Sequence, residues 1–104
     1  MNPGSWGPKW WYVYHVTALQ YPRNNPTKAE KKNYKQFYKS LQYLLPCATC
    51  RRNYMKNLKQ YPLTDKVLSS RKNLFYWTVM IHNKVNRELH KKELNPNIAL
   101  RIYS

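Results

Sequence analysis

Glycine, cysteine and acidic residues are all scarce in this sequence, and each shortage limits what the chain can be. Glycine occurs only at Gly4 and Gly7, and alternating runs of valine and isoleucine are absent, so strands are hard to place. The only cysteines are Cys47 and Cys50, so no further thiol is available to pair with either of them. We therefore expect a helical protein in which the single Cys-x-x-Cys pair has a specific role and is not part of a larger disulfide framework.

The shortage of acidic residues leaves a large excess of positive charge. Lysine and arginine number 19 against 4 aspartates and glutamates, which gives a formal net charge of +15. Such a charge attracts nucleic acid, acidic proteins and anionic lipid alike, and does not choose among them. Ten tyrosines and four tryptophans are too many for a disordered basic tail. We expect one folded domain, residues 1–104, with a positive surface.

A long apolar run is also missing. The longest, around residues 10–16, is far too short to span a membrane, and the N-terminus lacks the pattern of a signal peptide. We therefore expect the protein to stay in the compartment where it is made. Structural disulfides are rare there, so a lone Cys-x-x-Cys is more often catalytic or metal-binding.

Helical patterns, by contrast, are easy to find. Apolar residues recur at spacings of three and four over most of the chain, which is typical of amphipathic helices. The pattern predicts helices from Pro8 towards Pro22, from a capping box at Thr27–Glu30, from Pro46 and Cys47 to Pro62, after Ser69 or Ser70, and a short fifth at Pro96–Ser104. The predicted fold class is all-α, a four-helix bundle with a short fifth helix.

Several chemistries compete for the cysteine pair. Structural zinc needs four ligands, and the histidines lack the usual spacing, so we expect no metal site. A c-type haem needs histidine at the position of Arg51, and a thioredoxin-like fold needs a preceding strand. Two readings remain: two structural cysteines, or a redox-active pair at the start of a helix. There the dipole, Arg51 and Arg52 would stabilise a Cys47 thiolate, which favours the redox reading.

Electrons taken up by a single dithiol need a further acceptor, so we expect a cofactor site elsewhere in the chain. His82, Asn83 and Asn86 share one face of the fourth helix, and Trp11 and His15 share one face of the first. The alternatives are a solvated polar face for the former group and ordinary aromatic core for the latter. Spacing alone does not decide between these readings.

Four stretches taken together resemble a known family. WGPKWWYVYH, YP, PCATC and FYWTVMIHNKVNREL occur in the order and with the separations of the Erv/ALR family of FAD-linked sulfhydryl oxidases. The resemblance covers residues 6–91, and the short chain is similar to the minimal members of large DNA viruses (poxvirus, asfarvirus or iridovirus). It implies that electrons pass from dithiols through catalytic Cys47 and Cys50 to FAD and then to oxygen, giving hydrogen peroxide.

The resemblance also implies cofactor-binding residues. These are Gly7, Trp11, His15, Tyr21, His82, Asn83, Val85, Asn86, Leu89 and Lys91. Arg87 is a weaker candidate, and the family's late aromatic residue would fall near Ile102 or Tyr103. Pro8 stands where the family often has arginine, so one cofactor contact is expected to be missing.

Partners and location are implied in the same way. We expect a homodimer that oxidises a thioredoxin- or glutaredoxin-like protein in the host cytoplasm or the virion. The alternative is a small basic nucleic-acid-binding protein, with a lysine face on the second helix formed by Lys28, Lys31, Lys32, Lys35 and Lys39. We favour a solvated surface with a preference for acidic partners over that function.

Overall fold

The computed structural model describes residues 2–104 and is almost entirely helical. The helices are α1 (Pro3–Ala18), α2 (Lys28–Leu44), α3 (Ala48–Gln60), α4 (Arg71–Glu88) and α5 (Pro96–Tyr103), with one 3-10 turn at Val67–Ser69. Within residues 2–104 the only β pairing is an isolated bridge between Asn24 and Ser70. The predicted bundle with a short fifth helix is confirmed. Met1, which the predicted domain of residues 1–104 includes, lies outside the described residues.

The first helix begins five residues before the predicted Pro8. The side chain of Asn2 accepts a hydrogen bond from the backbone N–H of Gly4 at 2.9 Å, and Pro3 fills the first helical position. Pro8 therefore lies inside α1, where it removes one intrahelical hydrogen bond. The prediction of a start at Pro8 is wrong because Pro3 suits a first helical turn equally well and Asn2 supplies the cap.

The other helix starts follow their predicted caps closely. Thr27 and Glu30 form the expected capping box, with hydrogen bonds of 3.1 and 2.8 Å between each side chain and the other residue's backbone N–H. Ser70 caps α4 by accepting from the N–H of Asn73 at 3.1 Å. These side-chain oxygens satisfy N–H groups that no helical carbonyl can reach.

Three buried tyrosines join the first three helices. Tyr38 of α2 donates its hydroxyl proton to the carbonyl of Tyr14 in α1 at 2.9 Å, and Tyr54 of α3 donates to the carbonyl of Tyr38 at 2.8 Å. The hydroxyls of Tyr14 and Tyr54 lie 3.1 Å apart. Since the Tyr54 proton is already directed at a carbonyl, Tyr14 is the donor in this last bond. The network fixes α3 against α1 and α2.

The fourth helix contributes more buried residues than any other helix of the described chain. Leu74, Trp77 and Ile81 of its predicted apolar stripe are buried, whereas Val85 is half-buried and Leu89, just beyond the helix, is exposed. The stripe therefore leaves the core towards the C-terminal end of α4. No helix in the described part of the chain is both long and apolar enough to cross a membrane.

Candidate active site

The cysteine pair lies at the start of α3. Cys47 is the N-cap, and its Sγ accepts a hydrogen bond from the backbone N–H of Cys50 at 3.2 Å. Both thiols are free and half-buried. The sulfur of Cys47 thus takes the place of the capping oxygen found in other helices, at the positive end of the helix dipole.

The two thiols differ in their electrostatics. The Cys50 thiol and the Cys50 backbone N–H both donate to Cys47, and these hydrogen bonds lower the Cys47 pKa. Burial raises the pKa of Cys50 to about 11, and the charge of Arg51 offsets this only in part. Cys47 is therefore the sulfur that ionises first when the pair is reduced.

The two arginines act differently from the prediction. Arg51 donates from Nη1 to the carbonyl of Leu45 at 2.5 Å, and Arg52 donates from Nη2 to Oγ1 of Thr49 at 3.3 Å. Arg51 acts on the pKa of Cys50, and neither arginine is among the groups that lower the pKa of Cys47. The hydrogen bonds from the Cys50 thiol and from N–H groups at the start of α3 are the main causes that lower the Cys47 pKa.

A second cluster joins α1 to α4 through aromatic rings. Nε2 of His15 lies 2.8 Å from Nδ1 of His82, and the ring of Trp11 stacks on that of His82 at 3.8 Å between centroids with a 4° interplanar angle. Burial lowers the pKa of His15 to about 3, with a further contribution from His82. Burial and then the charge of Lys91 lower the pKa of His82 to about 4. Both imidazoles are therefore neutral near pH 7.

Thr78 completes this cluster, and sequence reasoning missed it. Its Oγ1 lies 3.0 Å from Nδ1 of His15, deep in the core. The signal in the sequence is its position four residues before His82, on the same face of α4. A threonine in a helix that is otherwise read as apolar gave no reason to connect it with α1.

The two predicted asparagines are both buried but are used differently. The Asn83 amide donates to the carbonyl of Leu94 at 2.8 Å and accepts from the Leu94 N–H at 2.7 Å, so it holds the α4–α5 loop. Asn86 contributes its backbone carbonyl to the N–H of Lys91 at 2.8 Å, while its amide lies 3.4 Å from Oδ1 of Asn83. A direct cofactor contact is thus easier for Asn86 than for Asn83.

The other residues predicted to bind a cofactor differ in their burial and contacts. Gly7 lies one turn before Trp11 and faces open space, because a Cβ built there has no atom within 4 Å. Tyr21 is fully buried and donates to the carbonyl of Leu68 at 2.6 Å, which gives its hydroxyl a structural partner. Of the two late candidates, Tyr103 contacts the His15 ring at 4.8 Å between centroids, whereas Ile102 is exposed.

Flat aromatic rings, a cation and a buried N–H group lie on the helices that form this cluster and in the turn after α4. Such groups suit a flat ligand that carries phosphate. A grouping of side chains that could bind a metal is not found among the described residues. Arg87 is taken up by an ion pair with Glu93 at 2.7 Å, which leaves Lys91 as the cation whose charge reaches His82. The indole N–H of Trp6 is buried without a hydrogen-bond partner. Among residues 2–104, no three His, Cys, Asp or Glu side chains come together in a way that could hold a metal ion.

Comparison with known proteins assigns the chain to a family. A model of the Erv1 / Alr family matches residues 8–103. The chain is 51% identical over 94 residues to a probable FAD-linked sulfhydryl oxidase of Acanthamoeba polyphaga mimivirus, covering 90% of this chain and 65% of that relative. It is 33% identical over 103 residues to a putative FAD-linked sulfhydryl oxidase of Invertebrate iridescent virus 6, covering 95% and 92% of the two chains.

Solved structures agree with the sequence matches. The crystal structure of the yeast Erv1 core superposes with a TM-score of 0.90 at 27% identity, covering 100% of this chain and 85% of that one. The structure of the FAD-binding domain of Erv1 from Saccharomyces cerevisiae gives 0.85 at 30% identity, covering 93% and 89%. The family match over residues 8–103 and the close superposition on solved structures show that this chain belongs to the Erv1/Alr family.

Proposed function

We propose that this chain is an FAD-linked sulfhydryl oxidase that makes disulfide bonds in partner proteins. The overall reaction is 2 R–SH + O2 → R–S–S–R + H2O2. The observation that carries the proposal is the polarised cysteine pair, with Sγ of Cys47 capping α3 at 3.2 Å from the N–H of Cys50. It occurs in a chain that is 51% identical to a probable enzyme of this name.

The position of Cys47 at the start of α3 makes it the sulfur that we assign to the partner's attack. A partner thiolate attacks Sγ of Cys47 in the oxidised pair, the Cys47–Cys50 bond breaks, and Cys50 leaves and takes up a proton. The partner's second thiolate then attacks the partner sulfur of the mixed disulfide, and Cys47 leaves as a thiolate. The lowered pKa of Cys47 favours this second step, because a more acidic thiol is the better leaving group.

The residues present fit FAD. Trp11 and His82 offer flat aromatic surfaces, Lys91 offers a cation, and the buried indole N–H of Trp6 lacks an acceptor that a polar ligand along α1 would supply. When bound, FAD would supply the two-electron oxidation of the reduced pair, with oxygen as the terminal acceptor.

The proposed cofactor contacts follow from this geometry. Trp11, His15 and His82 form the aromatic wall, Lys91 serves phosphate, and Asn86 offers a buried amide. We propose that the other predicted residues also belong to the cofactor site: Gly7, Tyr21, Asn83, Val85 and Leu89. Asn83 and Tyr21 act there indirectly, because Asn83 holds the α4–α5 loop and Tyr21 is hydrogen-bonded within the core.

The surface beside Cys47 suits an acidic protein substrate. Tyr43 and Leu44, which end α2 three to four residues before Cys47, are 68% and 69% exposed, and the chain carries a net charge of +15. We propose that a thioredoxin- or glutaredoxin-like partner docks an apolar surface here and is steered by its negative charge. Leu44→Ser should then lower kcat/KM for such a partner and leave oxidation of dithiothreitol unchanged, whereas Met80→Ser, at an exposed position on α4, should change neither.

Assembly and location complete the proposal. Eight large apolar side chains are exposed among residues 2–104, and a homodimer would cover part of this surface. Light scattering that returns the mass of one chain at all concentrations would exclude it. Because relatives come from mimivirus and iridescent virus, we place the protein in the host cytoplasm or the virion.

Stoichiometry tests the proposed reaction. The purified full chain, reconstituted with FAD, should consume one oxygen and form one hydrogen peroxide per dithiol oxidised, and Cys47→Ser should abolish turnover. Turnover that persists in Cys47→Ser, or oxygen consumption without thiol loss, would show that the cysteine pair does not carry the reaction.

A further inference from the structure

A chain of hydrogen bonds runs through the core from α4 to α1 and back. Oγ1 of Thr78 lies 2.6 Å from the carbonyl oxygen of Phe75 and 3.0 Å from Nδ1 of His15. Nε2 of His15 lies 2.8 Å from Nδ1 of His82. Thr78 and His15 are both fully buried, so water does not compete for the bond between them, whereas His82 is half-buried.

The direction of each bond follows from the count of protons. A carbonyl has no proton, so the hydroxyl of Thr78 must donate to Phe75 at 2.6 Å. That hydroxyl has only one proton, so it accepts from Nδ1–H of His15. A neutral imidazole has a single N–H, so Nε2 of His15 accepts from Nδ1–H of His82, and Nε2 of His82 is left with a lone pair.

Both histidines are neutral near pH 7, so each ring carries a single N–H. Burial lowers the pKa of His15 to about 3 and that of His82 to about 4. The other titratable groups near the pair are the ammonium of Lys91, which disfavours a second positive charge, and the rings of Tyr14 and Tyr103, both packed on His15. None of these groups carries a negative charge that would favour a second proton on either ring.

We infer that Thr78 is a positioning residue that fixes the proton positions on His15 and His82 and makes Nε2 of His82 a hydrogen-bond acceptor. The inference rests on the proposed function only in its last step, the identity of the ligand. An acceptor here suits a donor group of FAD, such as the adenine amine or a ribose hydroxyl. It does not suit a phosphate oxygen, which Lys91 serves instead.

Histidine nitrogen chemical shifts test the proton positions directly. In the wild-type full chain, NMR correlation of ring protons with ring nitrogens should show both histidines protonated on Nδ1. Thr78→Val removes the acceptor while keeping the shape, so His15 should move its proton to Nε2 and His82 should follow. Thr78→Ser should restore the wild-type pattern. Thr17→Val is the matched control, because the Thr17 hydroxyl also donates to a carbonyl of its own helix, that of Val13 at 2.7 Å.

FAD affinity provides the second readout. Thr78→Val should raise the Kd for FAD about tenfold, whereas Thr78→Ser and Thr17→Val should stay close to wild type. Wild-type His15 protonated on Nε2 would overturn the inference, as would a Thr78→Val variant whose proton positions or FAD affinity are unchanged. If the wild type bound no FAD at all, the proposed function would fail while the proton positions remained measurable. If Thr78→Val does not fold, the wild-type and Thr78→Ser spectra still decide the direction of the chain.

Discussion

At the scale of single residues, the chemistry depends on a pair of cysteines and a pair of histidines. In each pair, two side chains of the same type lie in different environments. Cys47 is an N-cap, and hydrogen bonds donated to its sulfur lower its pKa. Burial raises the pKa of Cys50, three residues later, to about 11. In the histidine pair His15 is fully buried and His82 half-buried, both are neutral, and Thr78 orders their protons. Position in the fold, and not residue type, gives each member its role.

Alkylation of the reduced protein tests the thiol assignment. Near neutral pH, iodoacetamide should modify Cys47 well before Cys50, because the thiolate is the reactive form and Cys47 ionises at lower pH. Mass spectrometry of quenched time points measures the order. Equal rates at the two sites, or faster labelling of Cys50, would contradict the assigned polarity.

The sequence could predict the identity of these residues better than their partners. The Cys-x-x-Cys at a helix start and the pair of Trp11 and His15 were predicted from spacing and resemblance. The contact of Thr78 with His15 was not, because the two residues are 63 positions apart and belong to helices whose relative rotation no local pattern specifies. For the same reason the hydrogen bond from Tyr21 to the carbonyl of Leu68, 47 positions away, was not foreseen.

At the scale of elements, caps and hydrogen-bonded tyrosines place α3. Helix starts with side-chain caps such as Thr27 and Ser70 were predictable because a cap is a local signal. The start of α1 was predicted wrongly, since two prolines five residues apart each suit a first turn. The tyrosine network that holds α3 was not predictable, because it joins three helices.

Removal of one hydroxyl tests whether that network fixes α3. Tyr54→Phe leaves the Tyr14 hydroxyl and the Tyr38 carbonyl without their partner, so we expect a loss of about 1–3 kcal/mol in the free energy of unfolding. Urea denaturation measures it. Tyr43→Phe is the control, since Tyr43 is 68% exposed and its loss should stay within about 0.5 kcal/mol. A Tyr54→Phe variant as stable as this control would count against the network.

At the scale of the whole molecule, the excess of positive charge and the buried histidines make stability depend on pH. The pKa values of His15 and His82, about 3 and about 4, lie below their ordinary value of 6.5. At pH values between the folded and the ordinary pKa, these histidines therefore bind protons in the unfolded chain but not in the folded chain. The histidine contribution is complete above about pH 6.5 and is lost as the pH falls, down to about 4 for His82 and about 3 for His15.

Denaturation at two pH values checks this sign. Between about pH 7 and pH 5 we expect a loss of at most roughly 2 kcal/mol for each histidine, and less for the partly exposed His82. His82→Asn should reduce the loss, whereas His90→Gln, at an exposed position, should not. Greater stability at the lower pH would mean that the pair gains a proton on folding.

Anaerobic reduction of the bound flavin is the measurement that tests the central claim most directly. In the full chain loaded with FAD, a dithiol added without oxygen should bleach the visible flavin band, and admitted air should restore it. Cys50→Ser should keep the flavin bound and its band unbleached, because the intact pair is needed to deliver both electrons. A wild-type band that survives the dithiol, or a Cys50→Ser band that bleaches at the wild-type rate, would contradict the account.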